Sequence, residues 1–203
     1  PRGVSYEEAS VTEPCCVALG AIRLANIFPG DSVAIIGPGP IGLMALQGAK
    51  ASGAGKTMVV GKSVDRRRLQ LAQKLGADRI VDVDQEDPLK IVREMTNGIG
   101  VGTVIEVSGA VQGVNLGLDM VRKGGEVILV GIYPEPVPLK VSNKIVREMK
   151  VLRGSFGTFS DMWDKALSMM ASGQMKVRPL ISHRVSIEEA VEGFEASHKK
   201  EAV

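Results

Sequence analysis

The sequence predicts an α/β protein: a doubly wound parallel sheet covered by helices on both faces, with less regular segments at either end. Three observations carry that prediction. Five short stretches, 32–36, 57–60, 79–83, 101–107 and 126–130, are continuous apolar runs rich in Val and Ile rather than alternating ones, as strands buried on both faces require. Each is separated from the next by helical sequence of roughly ten residues or more, long enough for right-handed crossovers between parallel strands. The first run also passes through three closely spaced glycines straight into a helical pattern.

In chain order, Glu7 to Asn26 reads as a helix, with Pro14 near its first turns and Pro29-Gly30-Asp31 after its end. Strand Ser32–Ile36 leads to helix Ile41–Ser52, which Gly53 and Gly55 stop, glycine being the residue of helix ends and turns. Strand Thr57–Val60 leads to helix Asp65–Leu75, closed by Gly76. Arg79–Val83 is a short strand, and Pro88 opens helix Leu89–Thr96, where its missing N–H is harmless. Asn97-Gly98 ends that helix. Val101–Val107 is an apolar strand carrying one acid, Glu106; Gly109 follows, then a helix to about Val121, and Lys123-Gly124-Gly125 turns into strand Glu126–Val130. After Gly131 the rhythm changes. Pro134, Pro136 and Pro138 punctuate a loop, Met149–Leu152 is strand-like, Asp161–Ser172 helical, Val177–Val185 extended, and Ile187 to about Ser197 helical again. This tail reads as part of a second structural unit.

Composition excludes several classes of function. At 203 residues the chain is long enough for one full α/β domain plus appendages. Hydrophobic residues make up 44% and charged residues 24%, as in an ordinary soluble globular protein. The formal net charge is +2, and basic residues are scattered except at Arg66–Arg68. One Trp, two Tyr and four Phe supply no stacking platform for bases, so nucleic acid is not an expected partner. The sequence holds no run of apolar residues long enough to span a bilayer and no apolar signal-peptide core near Pro1. Neither a membrane nor export is expected; a cytoplasmic setting is. The first residue is not Met, and the chain is expected to be a piece of something longer or a processed product. Cys15 and Cys16 are adjacent, too close for an ordinary disulfide and not spaced like a zinc site. They read as small core residues on a helix.

The glycine turn is the feature that points to a ligand. In Gly37-Pro38-Gly39-Pro40-Ile41-Gly42, Gly37 would allow the tight turn after the strand. Gly39 would let a dinucleotide diphosphate approach the backbone, and Gly42 would let helix and strand pack closely. Pro40 and Ile41 open the helix, whose free N–H groups and positive dipole end would face the phosphates. An NAD site places an acid about 20 residues on, at the tip of the second strand. Here the tip is Gly61, followed by Lys62, Ser63, Val64, Asp65 and Arg66. Glycine at that tip would leave room for a 2′-phosphate. Lys62 and Arg66 could neutralise it, and Ser63 could add a neutral hydrogen bond. NADP is the expected cofactor, with NAD as the alternative; Arg67 and Arg68 read as a solvated first helical turn.

These residues together resemble the zinc-type, medium-chain alcohol dehydrogenase superfamily, most of all its sorbitol (polyol) dehydrogenase-like members. Carrying the resemblance are Glu13-Pro14 before a helix, Pro29-Gly30-Asp31, the Gly37–Gly42 turn and Arg68-Leu-Gln-Leu-Ala-Gln-Lys-Leu-Gly-Ala-Asp78. Glu106-Val-Ser-Gly109, Lys123-Gly-Gly-Glu-Val-Ile-Leu-Val-Gly131, Arg153-Gly-Ser-Phe156 and Pro179-Leu-Ile-Ser-His-Arg184 continue it in the same order. The resemblance implies NAD(P)-dependent oxidation of a small alcohol, with zinc acting as a Lewis acid in the full-length parent. It implies that Val107, Ser108 and Gly109 lie beside the cofactor's ribose and Val130, Gly131 and Ile132 beside the nicotinamide, with Ser155 and Phe156 closing that end. For Val107 and Val130, plain sheet core is the alternative.

Glu13 is the residue the resemblance places in the zinc neighbourhood, the alternative being an acid favoured by a helix N-terminus. The family's other zinc ligands, its proton-relay hydroxyl and its four-cysteine lobe belong to an N-terminal catalytic domain, and nothing here matches them. No catalytic residue is therefore expected in this chain. His183 reads as structural, and His198 as part of a frayed end beside Lys199-Lys200. The implied organisation is a remnant of the catalytic domain over 1–14, a Rossmann-type dinucleotide-binding domain over 15–157 and a catalytic-domain segment over 158–203, cut short at Glu201-Ala-Val203. Homo-oligomers (dimer or tetramer) are implied, with the sheet extended across a two-fold axis near Met149–Leu152. Two other functions stay open at this point: a zinc-free quinone or enoyl reductase of the same superfamily, and an NAD(P)-sensing module without chemistry.

Overall fold

The computed structural model describes residues 2–140, 142–198 and 203. Pro1, Val141 and the segment 199–202 lie outside the described residues, so the expectations for Lys199-Lys200 and Glu201 find no structural counterpart. In chain order the elements are α1 (Tyr6–Ala9), α2 (Thr12–Leu24), β1 (Ser32–Ile36), α3 (Pro40–Ala51), β2 (Lys56–Gly61), α4 (Arg66–Lys74), β3 (Arg79–Asp82) and α5 (Pro88–Met95). There follow β4 (Val101–Glu106), α6 (Val111–Met120), β5 (Val121–Leu129), α7 (Ser142–Arg147), β6 (Val151–Gly154), α8 (Met162–Ala171) and α9 (Ala190–His198).

The six strands form one sheet in the order β3-β2-β1-β4-β5-β6, every neighbouring pair parallel. The chain winds outward from β1 in one direction, then returns to start β4 on the other side of it. This is the doubly wound order that the apolar runs predict. Side chains alternate faces along a strand, and both faces are covered. Val33 and Ile35 join an apolar layer with α2, α3, α4 and α8; Ala34 and Ile36 join another with α5 and α6. That is why β1 reads as an unbroken apolar run.

Several local expectations are corrected. The first helix is broken, with α1 ending at Ala9 and α2 starting at Thr12. Pro14 has no N–H to offer the Ser10 carbonyl, and its ring crowds that carbonyl in a continuous helix. Strand β5 starts earlier than predicted, because Val121 already pairs with Val101; the register then shifts before Glu126 pairs with Thr103. The late strand begins at Val151 rather than Met149, whose φ of +53° is left-handed. The stretch from Val177 is not simply extended: Arg178–Leu180 makes a 3-10 turn over the buried Val177 and Leu180.

Past residue 157 the tail packs onto the helices that cover one face of the sheet. Met162, Ala166, Met170, Met175, Val177 and Leu180 share one apolar cluster with α2 and α3. Gln47 on α3 ties them down, accepting from the Lys176 N–H at 2.7 Å and donating to the Lys176 carbonyl at 3.3 Å. Further on, Arg184 binds Glu7 with two hydrogen bonds of 2.7 and 2.8 Å, joining the two ends of the chain. His183 and His198 are exposed. Among the described residues no helix is long and apolar enough to cross a membrane.

Candidate functional site

The carboxyl ends of β1 and β4 meet where the strand order reverses, the place at which doubly wound sheets hold their ligands. Gly37 leaves β1 with φ +109°, and its N–H donates to the Val60 carbonyl at 2.9 Å. A Cβ there would lie 2.9 Å from the backbone of Ser108. A Cβ on Gly42 would lie 2.0 Å from the Gly37 carbonyl oxygen and 3.1 Å from Val107. Packing therefore demands both glycines. Gly39 is different: it caps α3 at φ −69° and ψ 177°, and a Cβ would meet nothing within 4 Å. Its bareness serves no contact inside the protein. Pro40 opens the helix, and the N–H groups of Ile41 and Gly42 have no intrahelical acceptor. The positive helix end and these two unpaired donors thus lie next to a residue with no side chain, and the space where that side chain would stand is open.

The loops after β4 and β5 form the other half of the site around Glu106. This carboxylate is fully buried. It accepts hydrogen bonds from the Ser108 N–H at 2.9 Å, from the Ser108 hydroxyl and from the Tyr133 hydroxyl. Its main-chain carbonyl accepts from the N–H groups of Val130 and Gly131 at 2.8 and 3.2 Å. Gly109, at φ +67°, presses its missing Cβ toward the Ile132 carbonyl, and Gly131 toward Gly109. Val107, Ser108, Gly109, Val130, Gly131 and Ile132 are accordingly brought together at one rim. Ser155 is buried beside them, its N–H on the Leu129 carbonyl at 2.8 Å. Phe156 and Ile132 stand exposed at that end, at 86% and 73%. Burial, then the Glu106 hydrogen bond and charge, raise the Tyr133 phenol above its ordinary pKa. The sequence marks Glu106 as an acid in an apolar strand and as the start of the Glu106–Gly109 motif but gives it no role, and Tyr133 is missed; the acid in an apolar strand is the available signal.

The corner after β2 corrects three expectations. A Cβ on Gly61 would lie 2.8 Å from the Pro38 ring and 3.3 Å from Leu69. Glycine is needed there for the proline to pack, and it opens no space for a phosphate. The Ser63 hydroxyl is already committed as a donor to Asp82 at 2.6 Å, and its N–H to Asp84 at 2.9 Å. Arg68 is no solvated cation, because its side chain is mostly buried and pairs with Asp65 at 3.4 Å. Lys62 and Arg66 are exposed, Arg66 lining with Ser63 and Asp82 an open groove of about 620 Å³ beside β3. The field at this corner is therefore mixed, two cations against two carboxylates.

Glu13 is exposed in the first turn of α2. The cysteines next to it are buried and unpaired. Burial, with Cys16 adjacent, pushes the Cys15 thiol up to about 12. Among the described residues no three His, Cys, Asp or Glu side chains gather to hold a metal. A zinc site needs three or four such donors, so these residues do not by themselves fit the ion, and no step is derived through it.

Residues 40–172 match the family model described as zinc-binding dehydrogenase. The chain is 34% identical to a sorbitol dehydrogenase of Halalkalibacterium halodurans, the match covering all of this chain and 59% of that protein. It superposes with a TM-score of 0.89 on 2R,3R-butanediol dehydrogenase from Bacillus subtilis, at 32% identity, covering 98% of this chain and 56% of that one. A Sinorhizobium meliloti 1021 protein assigned as a zinc-binding dehydrogenase and solved with NADP bound gives a TM-score of 0.84 at 27% identity, covering 95% and 56%. The chain thus spans less than two thirds of the length of these relatives. Its strand order, its glycine turn and these likenesses agree: the chain belongs to the zinc-binding dehydrogenase family of oxidoreductases and supplies the family's coenzyme-binding half.

Proposed function

We propose that this chain holds a nicotinamide dinucleotide across its switch point, for hydride transfer between the cofactor and a secondary alcohol or sugar alcohol. The observation that carries this reading is Gly39, a helix cap with open space where a side chain would stand, beside the free N–H groups of Ile41 and Gly42. The diphosphate lies there. The adenosine half extends over β2, and the nicotinamide half over Val107–Gly109 and Val130–Ile132, since each mononucleotide takes one half of the sheet. When bound, the nicotinamide supplies the hydride acceptor. This chain's own part is to bind and orient it. Glu13 contributes to metal chemistry only with ligands from elsewhere.

NADP is favoured, because Lys62 and Arg66 stand exposed at the 2′ corner, and the NADP-bound S. meliloti neighbour is a likeness in the same direction. Ser63 is left out of that role by its bond to Asp82. Titrating the chain with NADPH and NADH, followed by cofactor fluorescence, tests the reading. NADPH binds more tightly, and Lys62→Ala weakens NADPH alone by about five- to tenfold, the scale of one charge-assisted contact. Tighter NADH binding, with Lys62→Ala harmless, overturns the 2′-phosphate assignment.

A second copy of the chain is the proposed partner. β6 is one of the two edge strands of the sheet, and Val151 at its start and Val146 and Met149 just before it are exposed, at 41%, 77% and 73%. An open apolar edge of this kind templates strand pairing. Light scattering of the wild type and Val151→Lys tests this: a dimer that becomes a monomer supports it, and a wild-type monomer refutes it.

A further inference from the structure

We propose that Glu106 is a positioning residue: its buried carboxylate clamps the loops after β4 and β5 together and so preforms the nicotinamide half of the site. This rests on the cofactor reading given above. A carboxylate can only accept hydrogen bonds, and the donors that converge on it come from both loops, the Ser108 N–H and hydroxyl on one side and the Tyr133 hydroxyl on the other. A helix and a loop are shaped around the same group. A Cβ on Gly113 of α6 would lie 2.7 Å from one carboxylate oxygen, and a Cβ on Gly131 would lie 2.8 Å from the other. Two bare residues therefore let helix and loop close onto the charge.

No cation pairs with Glu106 among the described residues; only amide and hydroxyl donors and the positive end of α6 answer its charge. A buried charge without a counter-ion is costly to the fold. An apolar side chain at this end of β4 would pack more cheaply and would leave both loops untied. Natural proteins keep such departures chiefly at functional sites. The clamp acts on the cofactor through Ser108, which touches the Gly37 turn, and through Gly131 and Ile132, which touch Gly109. The half of the sheet that would hold adenosine, β1 to β3, contains none of its members.

That one-sidedness gives the test. ADP carries the adenosine and diphosphate but no nicotinamide ribose; it meets the clamp only where Ser108 borders the Gly37 turn, so its affinity depends far less on the clamp than that of NADPH. The chain and its variants Glu106→Gln, Tyr133→Phe and the double variant are titrated with NADPH and with ADP, and each is melted to establish that it is folded. Glu106→Gln replaces an acceptor with a group whose NH₂ opposes the donors. It is expected to lose about tenfold in NADPH affinity, the scale of one charged hydrogen bond, with ADP affinity kept within about twofold. Tyr133→Phe loses less, and the double variant loses less than the two single losses combined, because both act on one contact. A general loosening of the fold would lower both affinities together. Equal losses for NADPH and ADP, or unchanged NADPH binding in the folded variants, overturn the proposal. If Glu106→Gln does not fold, Tyr133→Phe decides on the same ratio. A wild-type chain that binds neither probe overturns the cofactor reading itself, and this proposal with it.

Discussion

Replacing Gly42 with Ala separates the glycines that the fold needs from the one that a ligand needs. The new methyl carbon would lie 2.0 Å from the Gly37 carbonyl oxygen. Helix α3 and the turn would have to part by about 1 Å, and overpacking of that kind costs up to about 3 kcal/mol. The turn cannot give way easily, since the Gly37 N–H is bonded to the Val60 carbonyl and its Cα faces Ser108. Alanine returns about 1 kcal/mol in helix propensity. The net loss is about 2 kcal/mol, or about 4–8 °C in melting temperature for a chain of this length. Gly39→Ala meets nothing within 4 Å at an ordinary φ. It loses only the cap preference, about 0.5–1 kcal/mol, yet puts a methyl group where the diphosphate must approach. Thermal melts followed by circular dichroism, paired with NADPH titration, read both effects. Gly42→Ala melts well below the wild type, whereas Gly39→Ala melts close to it and binds NADPH at least about tenfold more weakly. A Gly42→Ala variant that melts at or above the wild type would refute the reasoning.

Other consequences are open to simple measurement. Lys150, its side chain 1% exposed, donates to the Leu118 carbonyl at the end of α6 at 2.6 Å and pairs with Glu148 at 2.8 Å; Lys150→Met lowers stability in urea by about 1–3 kcal/mol, and an unchanged midpoint contradicts that. Burial pushes the Asp78 carboxyl up, but hydrogen bonds from the Thr57 hydroxyl and N–H, both 2.8 Å, together with Lys50, outweigh it and hold the group below the usual aspartate range. A group depressed in this way stabilises the fold above its unfolded value, near about 3.9, and the contribution is lost as pH falls through the lower folded value. Asp78→Asn therefore flattens the loss of stability below about pH 4, and parallel acid limbs for the two proteins argue against the account. Cys15, raised to about 12 by burial, and Cys16, raised by burial and then by the Glu13 charge, resist a thiol reagent such as Ellman's in the native chain and react on unfolding. Fast labelling of the native protein would contradict their placement in the core.

What the sequence reveals and what it hides follow the range of the interactions. The strands are legible because burial on both faces writes a continuous apolar run into each one. Gly37 and Gly42 are legible because turn, strand and helix are neighbours in the chain. Gly61 is misread because its constraint comes from Pro38, on the preceding crossover. Ser63 is misread because Asp82 and Asp84 reach it from 19 and 21 residues away. Tyr133 meets Glu106 from 27 residues away, and no local pattern marks a tyrosine as the partner of a buried acid. The docking of the tail is hidden for the same reason: Gln47 meets Lys176 across 129 residues. The break before α2 is the exception, since Pro14 announces it locally and the longer apolar helical pattern hides it.

The account turns on where the diphosphate sits, and a crystal structure of the chain grown with NADPH tests that most directly. It is expected to show diphosphate oxygens within ~3 Å of the Ile41 and Gly42 nitrogens, against the bare face of Gly39. A cofactor bound elsewhere, or a turn left empty at saturating NADPH, would contradict it.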